Sequence, residues 1–105
     1  MANKNQQGWY KKFYEGTFPV KGWKSRMDGV LKGLSPEDRG EMGELLETLG
    51  EKIGMEWAKP NNVRKIDTAQ LQRWGKELQN ASQKGAEALS DQIRQLNGEV
   101  NKKFA

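Results

Sequence analysis

The strongest constraint in this 105-residue sequence is a stripe of inward-facing positions across residues 67–104. Leu71, Trp74, Leu78, Ser82, Gly85, Leu89, Ile93, Leu96, Val100 and Phe104 follow one another at spacings of three or four and repeat every eleven. An eleven-residue period keeps a stripe on one side of a nearly straight helix, so the pattern predicts one long helix. Its start carries three agreeing signals. Asp67 can cap it, Gln70 stands three residues on as in a capping box, and Ile66 can touch Leu71 across the cap. Asn97-Gly98 is a turn or C-cap pair inside the stripe, so the helix is expected to run through or to kink there.

A second helix is predicted over residues 35–59. Ser35 is a good N-cap, Pro36 falls at the first helical position, and Glu37 and Asp38 complement the helix dipole. Met42, Leu45, Leu46, Leu49, Ile53 and Trp57 then follow at helical spacing until Lys59-Pro60 stops the pattern. Gly40, Gly43, Gly50 and Gly54 fall on one side of this helix as a ridge beside the apolar stripe. Each costs a helix about 0.8 to 1 kcal/mol relative to alanine, which close approach of another backbone would offset. The expected partner is the small-residue patch Ala81, Ser82, Gly85, Ala86 and Ala88, met as the chain reverses through 60–65. Trp57 and Trp74 are then expected to form an aromatic cluster near the turn.

Ahead of these lies a short amphipathic helix over 22–34, marked by Trp23, Met27, Val30 or Leu31, and Leu34. Residues 1–21 read as an aromatic and basic arm, with Trp9, Tyr10, Phe13 and Tyr14 around Lys11 and Lys12. The predicted fold is a single all-α domain over residues 1–105. It is a small helical bundle built on an antiparallel helical hairpin with a long C-terminal helix, to which the short helix and the arm are added.

Composition removes several kinds of chemistry. With no cysteine and no histidine, thiolate chemistry, disulfides, the usual zinc ligands and the commonest general base are unavailable. Glu37, Glu41 and Glu44 share a helix face, but a solvated acidic surface explains such a ladder better than a cation site does. Neither a phosphate-cradling glycine loop nor a paired nucleophile and base is present in the sequence. No catalytic, metal or cofactor residue is assigned, and the chain is expected not to be an enzyme. No apolar run follows the amino-terminal lysines, so no membrane span is expected and residence is expected to be cytoplasmic.

The net charge of +4 conceals opposed segments. Residues 1–34 hold seven basic and two acidic side chains, whereas 35–58 hold two basic and seven acidic. A nucleic-acid-associated accessory role would use Lys11 and Lys12 for phosphates and Trp9, Tyr10 and Tyr14 for base stacking.

The favoured expectation comes from length. The long helix would measure about 55 Å and the second helix about 34 Å, so they cannot cover each other. Ile93, Leu96, Val100 and Phe104 would be left uncovered by the second helix, to be met either by the short helix and aromatic arm folding back in the same chain or by another copy of the protein, and an exposed apolar stripe usually marks an interface. These four are the candidate partner-binding residues. The partner is expected to be a second copy, giving a homodimer, or another helical protein, and the function a non-enzymatic, self-associating interaction or assembly module.

Overall fold

The computed structural model describes residues 8, 9, 12, 13 and 23–104. Within them the molecule is all-α and has no strand. Four α-helices run in order: α1 (Trp23–Leu31), α2 (Pro36–Trp57), α3 (Thr68–Lys84) and α4 (Ala86–Lys103), with a 3-10 turn at Asn61–Val63. Gly8, Trp9, Lys12 and Phe13 also have helical backbone.

Both predicted N-caps form. The Ser35 hydroxyl accepts from the Asp38 amide at 3.2 Å, and the Asp67 carboxylate accepts from the Gln70 amide at 2.8 Å. Ile66 is buried ahead of the Asp67 cap. The side-chain oxygen of Gln70 does not reach back to the cap but accepts from Arg73 at 2.6 Å. Such contacts lie within three residues of their partners, so local sequence decides them.

The long helix over 67–104 is corrected. Gly85 stands at φ 115°, ψ −178°, and divides it into α3 and α4. That region of backbone space is essentially reserved for glycine, because a Cβ would collide with the neighbouring peptide. The two helices then fold back on each other. The Trp74 indole N–H donates to Glu99 at 2.8 Å, and the Gln92 amide donates to Glu77 at 3.1 Å. Partner numbers that fall on one strand of contact as they rise on the other define an antiparallel pair. At Asn97-Gly98, by contrast, α4 runs through without a break.

Helix α4 is the centre of the molecule, packing against α3, α2 and α1. It lies beside α2 in the same general direction, since Arg94 reaches Glu41 and the Lys52 ammonium donates to Asn101. The expected close crossing of α2 on the first half of the long helix is therefore corrected too. Added Cβ atoms at Gly40 and Gly43 would meet nothing within 4 Å. The glycine ridge begins on open surface and sinks inward, so that Gly54 is buried. Close approach of small residues occurs elsewhere, at the start of α4, where a Cβ on Gly33 would stand 3.1 Å from that of Ala86.

The core comprises Met27 and Leu31 of α1, Met42, Leu49, Ile53 and Trp57 of α2, Leu71, Trp74 and Leu78 of α3, and Leu89, Ile93, Leu96 and Val100 of α4. Trp9 and Phe13 join it, edge to face at 5.7 Å between ring centroids. That geometry sets the positive ring edge against the negative face of its neighbour.

Candidate functional site

Ile93, Leu96 and Val100, expected to lie uncovered, are at most 3% exposed, and Phe104 packs half-buried against the same core. They are covered because the chain turns at Gly85, which lays the second half of the stripe against the first. Trp9, the leading residue for base stacking, is only 4% exposed and holds its place in the core beside Phe13. Lys12 is half-buried, and Tyr10, Lys11 and Tyr14 lie outside the described residues.

Trp57 and Trp74, expected together, belong to one core and make different polar contacts. Trp74 is buried and hydrogen-bonded to Glu99. Trp57 closes the lower end of α2, where the Arg64 guanidinium lies 4.0 Å from its ring centroid. Its indole edge also bounds the space beside Gly8, where a Cβ would come within 3.4 Å of the ring nitrogen. A cation placed over an indole face is attracted by the ring quadrupole, and this one also holds the connection, because Arg64 Nε donates to the Lys59 carbonyl at 2.8 Å.

Beside it lies Glu56, a buried carboxylate that sequence reading grouped with the acidic segment. One of its oxygens accepts from the Lys65 amide at 2.9 Å and the other from the Lys59 ammonium at 2.8 Å. Burial alone would push this carboxyl up. The hydrogen bonds from Lys59 and Lys65, with the charges of both lysines, outweigh it and hold the group below its ordinary value. Lys59, Arg64 and Lys65, which make the connection basic, thus also fasten it to the end of α2.

The outward face of α2 is different. Glu37, Glu41, Glu44, Glu51 and Met55 are all exposed and, at 100° per residue, fall within an arc of roughly 80°. Glu41 forms an ion pair with Arg94 at 3.4 Å; among the described residues no three acidic groups converge as a metal site would require. Met55 is 63% exposed, the largest exposure of any large apolar side chain described, and Val63 at the same end is 54% exposed. Gly40 borders the acidic stripe and Gly43 lies further round the helix, both on open surface. At Gly40 the surface dips into an open depression lined by Lys32, Leu34, Pro36, Arg39 and Gly40. Sequence reasoning passed over Met55. The signal available was a lone apolar residue four positions beyond Glu51 on an otherwise charged face.

No helix among the described residues is long and apolar enough to cross a membrane. Comparison with known families, with curated proteins and with solved structures finds no match for this chain.

Proposed function

We propose that this protein is a non-enzymatic helical assembly module that pairs with a second copy of itself through the outward face of α2. The observation that carries the reading is Met55, left exposed on the same helix face that is bordered by open glycines. Two copies laid antiparallel along this face bring Met55 of each to Gly40 of the other. There the apolar walls of the depression, Leu34 and Pro36, can receive it. The same arrangement sets the basic connection, with Lys59, Arg64 and Lys65, opposite the acidic start of α2, with Glu37, Asp38 and Glu41. The interface is isologous, so each contact is made twice. It also offsets the helix cost of Gly40 and Gly43, which the isolated fold leaves uncompensated.

Sedimentation equilibrium across a wide concentration range tests this. The wild-type chain is expected to dimerise reversibly. Met55→Glu is expected to weaken the dimer by at least about tenfold, since burying one methionine contributes roughly 1.5–3 kcal/mol and each 1.4 kcal/mol is a factor of ten. A 12.0 kDa monomer at every concentration overturns the proposal.

A further inference from the structure

We infer that Gly85 is a hinge through which two copies of this chain exchange α4, converting the folded monomer into a domain-swapped dimer. The inference rests on the self-association reading only in naming a second copy as partner. It uses a different part of the molecule.

Two helices of 17 and 18 residues are joined here by a single residue, and that residue is the only one with positive φ among those described. The joint is lightly held. The Gly85 amide donates to the Ser82 carbonyl at 3.3 Å, α4 has no side-chain N-cap, and a Cβ at Gly85 would meet nothing within 4 Å beyond its own neighbours in the chain. Rotating this one residue into the helical region removes the turn, and the nearest packed side chain that moves with it is the small Ala86 beside Gly33.

What the rotation produces is set by sequence. On a straight helix, Leu71, Trp74, Leu78 and Ala81 of α3 and Leu89, Ile93, Leu96 and Val100 of α4 fall within an arc of roughly 120°. These are the residues that the folded-back pair buries. The opened helix therefore keeps one continuous apolar stripe and stays amphipathic throughout. It would also be about 54 Å long, against 41 Å for the longest dimension of the folded molecule. An opened α4 thus projects beyond its own chain and leaves an empty trough between α1, α2 and α3. Another copy's α4 fits that trough with every native contact remade between chains, including Trp74 with Glu99, Gln92 with Glu77, and Arg94 with Glu41. Exchange of an identical element is a low-cost route to a dimer, and a short, conformationally demanding hinge favours it.

Gly85→Ala is the test, because alanine cannot hold the turn and favours the helix. The variant is expected to be a dimer with wild-type helix content, and dilution is expected to lower mass and circular dichroism together. Since the chain has no cysteine, Glu77→Cys with Gln92→Cys supplies its only thiols. A short bismaleimide should link them within one chain in the Gly85 monomer, and between chains in the Gly85→Ala background and in any dimer that the Gly85 chain forms through α4, as read by denaturing gel. A folded monomer with intrachain links overturns the inference, and so does a chain that stays unfolded at every concentration, because exchange predicts that concentration restores the helices. The α2 face is scored separately. Adding Met55→Glu is expected to leave the exchanged dimer intact while removing any larger species built on that face.

Discussion

Trp74 shows how one side chain joins core and surface. Its rings fill the space between α3 and α4 at 2% exposure, and its N–H ends on Glu99. Trp74→Ala is expected to cost about 3–5 kcal/mol in urea denaturation, the range for truncating a large buried aromatic. Trp74→Phe keeps most of the packing but leaves Glu99 without its donor, and should cost nearer 1 kcal/mol. Glu56 makes a pH-dependent contribution. Its carboxyl is more acidic when folded than when unfolded, so the stability it adds is complete at neutral pH. That stability declines as pH falls from the ordinary carboxyl range through the lowered folded value. Glu56→Gln is expected to destabilise the protein at neutral pH by about 1–3 kcal/mol and to flatten the acid limb of a stability profile below pH 5 or so. An unchanged acid limb would show that the carboxylate is not the group responsible. Trp74 was legible from spacing alone, because a stripe announces its own inward residues. Glu56 was not. Its distinction from Glu51 depends on a lysine amide nine positions on, and no periodicity encodes where a loop returns.

At the scale of helices, the same physics made one feature readable and concealed another. Caps and stripes come from neighbours within a turn or two, so α2 and the start of α3 stood out. The break at Gly85 was hidden because the apolar phase passes through it unchanged, whereas the visible turn pair Asn97-Gly98 sits on the exposed side of an unbroken α4. A glycine in a helical pattern does not say whether it bends. That depends on whether the two halves are better covered by each other than by a partner, which is a tertiary question. The open glycines of α2 give a sharper expectation. Gly40→Ala and Gly43→Ala place a methyl in empty space and remove excess backbone freedom, so each should raise stability by about 0.8–1 kcal/mol. Thermal unfolding, followed at concentrations too low for association, checks this. A loss of stability would mean that these positions are already packed against something.

For the whole molecule, the fold class followed from composition and pattern, but the arrangement inverted. The segment expected to be bare, residues 93–104, belongs to the most enclosed helix, and Gly40 and Gly43 of α2, expected to pack closely, stand on open surface. Both reversals trace to Gly85. A helix that doubles back consumes its own stripe and turns a two-helix hairpin into a bundle with α4 in the middle. Association, if carried by the α2 face, therefore leaves the core untouched. Met55→Glu there should alter mass in solution without altering the monomer's unfolding curve.

The central place of α4 also bears on the order in which the chain is made. Helices α1, α2 and α3 all emerge from the ribosome before the helix that they enclose, and synthesis adds only about 5–20 residues each second. Until α4 has emerged and docked, the apolar faces of α1, α2 and α3 lack the helix that covers them. The exchange proposed at Gly85 therefore has its widest opening before α4 has docked, and closes once that helix is enclosed.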